Sequence, residues 1–176
     1  MSKPDQTANE PQGASGDDAS RLSELGKACE ARDDFPEAAV HYRQALDQLE
    51  PGDARRHDLV VRALYALKRA GQHEAAIHLA DLEMDNWLDS PDYYFALGDL
   101  LLDWATRNPA SAMEELLPMV EASWLKCLEI GERPELEGAV AGRGSYLAAH
   151  NLAVLYDTMG DAERAAHFRA LATPPR

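Results

Sequence analysis

The chain has 176 residues, enough for one domain that buries about two-thirds of its extended surface on folding, so neither a metal nor a disulfide is needed to hold it. It carries 31 acidic against 17 basic side chains, a formal net charge of −14. The resulting field repels phosphate backbones and argues against nucleic acid as a partner. No apolar run reaches the length of about eighteen residues that a membrane span needs, and the N-terminus lacks the basic-then-apolar order of a secretory signal. A cytoplasmic protein without membrane contact is expected. Cys29 and Cys127 lie inside apolar helical patterns and read as reduced core thiols.

Residues 1–18 are Pro, Gly, Ser, Asp, Gln and Asn with almost no large apolar side chain, a composition that cannot offset the entropy of ordering. They are expected to form a disordered tail, with a short docking arm as the alternative. From Ser20 a helical period begins, with Leu22, Leu25, Gly26 and Cys29 on one face. Asp33 and Asp34 supply a turn and a cap, and Pro36 suits a first helical turn. Ala38, Ala39, Tyr42, Ala45, Leu46 and Leu49 form the face of a second helix, and Pro51-Gly52 closes this first unit, about 19–52. The second unit, about 53–88, opens at Asp53 and carries Leu59, Val60, Ala63, Leu64 and Leu67 up to Gly71, then Ala76, Ile77, Ala80 and Met84. The third, about 90–132, starts with the cap Ser90 and first-turn Pro91, runs through Tyr94, Leu97, Gly98 and Leu101, and stops before Asn108-Pro109. Ser111 with Glu114 reads as a capping box for the next helix, where Pro118 predicts a bend and Val120, Trp124, Cys127 and Leu128 form the packing face.

Residues 133–145, RPELEGAVAGRGS, are the one long irregular segment. Its run of Gly138, Gly142 and Gly144 with Arg143 admits two readings, a flexible connector or a backbone cradle for phosphate at the start of the following helix. No strand precedes the run and no Lys-Ser/Thr pair follows it, which favours the connector. The last unit, about 145–172, has Ala149, Leu152, Ala153 and Tyr156 on one helix and Ala162, Ala165, Ala166 and Ala172 on the next. Gly160 ends the first of these helices in a left-handed conformation and Asp161 caps the second. The interval from Gly26 to Ala38 equals that from Ala153 to Ala165, so the two hairpins share one plan.

No catalytic or metal-binding pattern accompanies these repeats. His73 and His78 are five positions apart and face different ways, no H-E-x-x-H or paired-cysteine spacing occurs, and no Ser, His and acid group is placed by the sequence. No cofactor is implied. The carboxylates fall at helical spacing on faces expected to be solvated. The aromatics Tyr42, Tyr94, Trp124 and Tyr156 stand at core positions.

The glycine, alanine and aromatic spacings resemble the tetratricopeptide repeat, a helix pair of about 34 residues. The resemblance implies an all-α solenoid of four antiparallel pairs stacked into a right-handed superhelix over 19–176, and a non-catalytic protein-binding module. In that family the first helix of each unit lines a concave face that takes extended peptides or helices. Transferring this pattern position by position gives Lys27 from unit one, Val61, Tyr65 and Lys68 from unit two, Phe95, Asp99 and Leu102 from unit three, and His150, Val154 and Asp157 from unit four. Tyr65, Phe95 and Val154 are expected as exposed apolar groups among charges. A protein or peptide partner of basic character suits the net charge.

Family members that clamp a terminal carboxylate use Asn, Lys and Arg. Here Lys27 replaces the usual Asn, and Asp99 and Asp103 stand where cations are needed, so a heat-shock chaperone tail is a poor ligand. A narrower likeness covers Pro91 to Ala172, which is similar to the repeat segments that accompany bacterial glycosyltransferases. No catalytic domain goes with it, so that resemblance implies an accessory module that docks a glycosyltransferase or its acceptor. The alternative to the groove reading is then an enzyme subunit in which 133–145, with Arg143 as a loop contact, contributes to docking or to a site.

Overall fold

A computed structural model describes residues 13–174, in which all regular structure is helical, with no strand among the described residues. The helices are α1 (Gly13–Glu30), α2 (Phe35–Asp47), α3 (Arg56–Arg69), α4 (His73–Glu83), α5 (Pro91–Arg107), the single turn α6 (Pro109–Ser111), α7 (Leu117–Ile130), α8 (Tyr146–Met159) and α9 (Ala162–Leu171). None is long and apolar enough to cross a membrane. α1 begins at Gly13, ahead of the Ser20 start read from the period, so the end of the expected tail is helical. Ala19, buried at its inner face, extends the apolar stripe backwards. The expectation for residues 1–12 lies outside the described residues.

The helix ends follow side-chain chemistry. Asp34, Ser90 and Asp161 accept hydrogen bonds from Glu37 N (3.4 Å), Tyr93 N (3.0 Å) and Arg164 N (3.0 Å), and each thereby satisfies one of the free N–H groups that open α2, α5 and α9. Gly160 closes α8 with φ 78°, in the left-handed region that glycine enters without steric cost. Ser111 does not stand at a helix start: α6 begins at Pro109, whose preset φ suits a first turn, with Asn108 at the N-cap position, which puts Ser111 inside the helical turn. A π-helical turn, Ala112–Leu116, then joins α6 to α7. It takes up the irregularity just ahead of Pro118, whose ring cannot sit in a regular helix interior.

The helices pack in successive pairs. α1 packs on α2, α2 on α3, α3 on both α4 and α5, α5 on α7, α7 on α8, and α8 on α9, so every substantial contact joins elements close in the chain. Two of the pairs are set by an aromatic ring laid on a glycine. A Cβ built on Gly26 would lie 2.5 Å from Cε1 of Tyr42, and one on Gly98 would lie 2.7 Å from Cδ1 of Trp124. Such distances are below any real packing contact, so hydrogen at these positions is what lets the rings seat. In the second unit Leu64 and Ala80 stand at the same interval as Gly26 and Tyr42, large and small exchanged, and both are buried. In the third unit Tyr93, not Tyr94, fills the core. It is fully buried and donates its hydroxyl to Ala80 O at 2.7 Å, while Tyr94 is half-buried against it.

Replacing glycine by alanine on an exposed helix face stabilises by about 1 kcal/mol. At Gly98 the sign is expected to reverse. Gly98→Ala forces a methyl into the rigid, 2 % exposed ring of Trp124 and costs about 1–3 kcal/mol. Urea unfolding followed by circular dichroism measures it, and a variant more stable than the wild type would contradict this packing.

Candidate functional site

The residues transferred from the repeat pattern do not form one uniform trough. The structure sorts them into a downstream cleft and an upstream face crossed by residues 131–145. The cleft lies between α5 and α8, has a volume of about 290 Å³ and is lined by Asp99 and Leu102 of α5, Leu117 and Trp124 from the α7 side, and His150, Asn151, Val154, Leu155, Thr158 and Met159 of α8. Its walls are mainly apolar. Val154 is 52 % exposed and Met159 41 %, so two large apolar side chains of α8 stand open to solvent around the cleft. This is the reverse of what burial of apolar area favours, which makes the cleft a candidate site.

Four of the expected groove residues, Asp99, Leu102, His150 and Val154, meet there. Burial pushes the Asp99 carboxyl up from its ordinary value, against the opposing pull of Lys68, whose Nζ sits 3.6 Å away. Asn151 Nδ2 donates to the same carboxylate at 3.4 Å. Lys68 also lies over the Tyr65 ring, 5.4 Å from its centre, so the cation is shared between a carboxylate and a π face. Asp157 pairs with Arg169 at the outer edge of α8 and takes no part in the cleft. Leu117, Trp124, Asn151, Leu155, Thr158 and Met159 also line the cleft and were missed by the position transfer, Leu155 and Met159 being the apolar ones on α8. Both follow from the period of α8, since Leu155 and Met159 continue the face that carries Asn151.

Upstream, Val61, Tyr65 and Arg143 line a shallower cleft with Glu30, Asp58 and Arg62, while Lys27 lies in another beside Arg55 and Glu137. Tyr65 is 40 % exposed as expected, but Val61 is buried. Phe95 is half-buried rather than open: it packs against the core, and the Arg143 guanidinium lies 5.5 Å from its ring centre. The segment that carries Arg143 is no free connector. Its two ends are tied together: the Glu132 carboxylate accepts from Gly142 N at 3.0 Å and from Ser145 Oγ at 2.5 Å, and Gly144 packs on the Gly131 carbonyl where any side chain would collide. The part between them is held to the helices. His57 Nδ1 bonds the Glu137 carbonyl at 2.6 Å, and the Asp92 carboxylate accepts from Val140 N at 3.0 Å and from Arg143 Nη1 at 2.9 Å. These turns fold the glycines around protein groups and not around an anion. Glycine-rich composition reads as flexible, and nothing in the sequence marks His57 and Asp92 as the partners that order it.

Ser90 and His57 are drawn together here, with Oγ 2.6 Å from Nε2. The imidazole donates from Nδ1 to a carbonyl, so Nε2 accepts from Ser90, whose oxygen in turn accepts from Tyr93 N as the cap of α5. Ser90 is fully buried, which makes the pair a helix-start clasp and not a nucleophile with its base. Cys29 and Cys127 are free and buried, and burial pushes the Cys127 thiol up to about 12, far from a reactive thiolate. Among the described residues no group of three or more His, Cys, Asp or Glu is placed to hold a metal ion.

No model of a known protein family matches this chain, and no curated protein matches it either.

The raised Asp99 pKa has a signed consequence. The folded state binds this proton more tightly than the unfolded state does, so stability falls as pH rises from the ordinary carboxyl value of 3.8 through the folded one. Asp99→Asn removes that loss. The melting temperature of the variant is expected to gain on the wild type between about pH 3.5 and about pH 7. A difference that is the same at both would show that Asp99 is not desolvated.

Proposed function

We propose that the chain is a non-catalytic protein-binding module, a tetratricopeptide-like right-handed solenoid over 19–176, whose partner is a peptide segment of basic character with one large apolar anchor. The observation that carries this reading is the apolar α5–α8 cleft of about 290 Å³, open to solvent along Val154 and Met159. A pocket of that size accepts one or two side chains, and burying a Leu or Phe there supplies about 1.5–3 kcal/mol. Two further features support it. Helices that touch only their near neighbours in the chain are the packing that a solenoid requires, and such stacks expose long concave faces. The net charge of −14 favours cationic partners in the encounter and disfavours anionic ones.

Short fluorescent peptides that carry several Lys or Arg around one Leu or Phe provide the test, read by anisotropy at low and high salt. The module is expected to bind a subset of them, less tightly as salt rises. Val154→Glu puts a charge at the mouth of the cleft on an already exposed position, so it is expected to weaken binding by about tenfold or more while the melting temperature holds. Peptides that bind the variant and the wild type equally, or a wild type that binds none of this class, would reject the proposal.

A further inference from the structure

Residues 131–145 form an Ω-shaped loop whose neck and tip are held by different means. The neck is the Glu132 carboxylate with Gly142 N and Ser145 Oγ, reinforced by the close seat of Gly144 on Gly131. The tip, about residues 135–141, rests on α3 and α5 through His57 to the Glu137 carbonyl and Asp92 to Val140 N, with Arg143 of the neck side closing on the same carboxylate. Apolar burial adds little to this contact. Val140 is 42 % exposed, and Glu135, Glu137, Gly138 and Ala141 are exposed too. Segments held by few apolar contacts and a handful of polar ones open at lower free energy than the helices beneath them.

From this division we infer that the tip is a strap that opens about a closed neck and, when shut, occupies the upstream part of the helix face as an intramolecular stand-in for a bound peptide. The manner of attachment is what supports it. Helix side chains grip the strap by its backbone, one carbonyl and one N–H, as they would an extended peptide of any sequence. When the strap leaves, each clasp group keeps one partner, and the His57 Nδ1–H and the freed Asp92 lone pair pass to the water that enters. Asp92 lies in the first turn of α5, where a carboxylate is favoured with or without Arg143, and His57 keeps Ser90 on its other nitrogen. Opening uncovers the surface around Asp58, Val61 and Phe95. The consequence for partner binding rests on the function proposed above; the opening itself does not, and it is tested without any ligand.

Native-state hydrogen exchange by NMR separates the three layers. The Val140 amide, a tip group, is expected to exchange at least about a hundredfold faster than the Gly142 amide at the neck and the amides inside α5, by a local opening insensitive to low urea. Arg143→Ala, at a partly exposed side chain, is expected to speed Val140 by about tenfold more and leave the α5 amides unchanged. If Val140 exchanges together with Gly142 and α5 in a single urea-sensitive step, the strap is part of the cooperative core and the inference fails. It fails equally if Val140 is fast but indifferent to Arg143→Ala. The wild-type comparison stands even if the variant does not fold.

Discussion

The seat of Trp124 on Gly98 is the contact from which the rest of the downstream half is positioned. A glycine there lets α7 approach α5 closely enough for the indole to be buried between them, and α8 packs in turn on α7. The same indole contributes to the lining of the cleft between α5 and α8. One packing choice therefore sets the spacing of a helix pair, the place of the next pair and the depth of the surface left open. The first pair repeats the device with Tyr42 on Gly26, and the second inverts it with Leu64 and Ala80, which conserves volume while changing which helix supplies it.

A polar layer works against this apolar scaffold at the start of α3 and α5. His57, Ser90 and Asp92 are all essentially buried, yet each has its hydrogen bonds met by a backbone group, a cap or a guanidinium. Buried polar groups that are fully satisfied fix one arrangement and cost little; left half-satisfied they would be the weakest point of the fold. Here they anchor an irregular loop that carries almost no apolar surface of its own. With the Arg133–Asp89 ion pair they hold residues 133–141 on the helices.

Much of the architecture was legible because it depends on local pattern. The three-and-four spacing of apolar residues, the caps Asp34, Ser90 and Asp161 and the turn at Gly160 are short-range signals, and each specifies an element boundary without knowledge of the rest. Where a proline competed with a cap the proline won, as at Pro109 over Ser111, since a preset φ costs nothing to use. The tail boundary was misread because Gly and Ser weaken a helix without forbidding one, and burial of Ala19 supplies what propensity lacks. The cleft was half legible: position transfer found Asp99, Leu102, His150 and Val154 but passed over Leu155 and Met159. The loop was not legible at all. Its partners lie far away in sequence, and a histidine or an aspartate in a helical pattern gives no sign that a distant carbonyl or amide will meet it.

The central claim is that the open apolar surface between α5 and α8 is where another polypeptide is received. The most direct measurement is an NMR titration of the isotopically labelled chain with a basic peptide that carries a single leucine anchor, followed at backbone amides and methyl groups. The account predicts shifts gathered at Leu102, Val154, Leu155 and Met159, spreading toward Phe95 and Val140 as the loop tip gives way. Shifts gathered instead around the exposed Leu82 of α4, with the α5–α8 methyls unmoved, would contradict it.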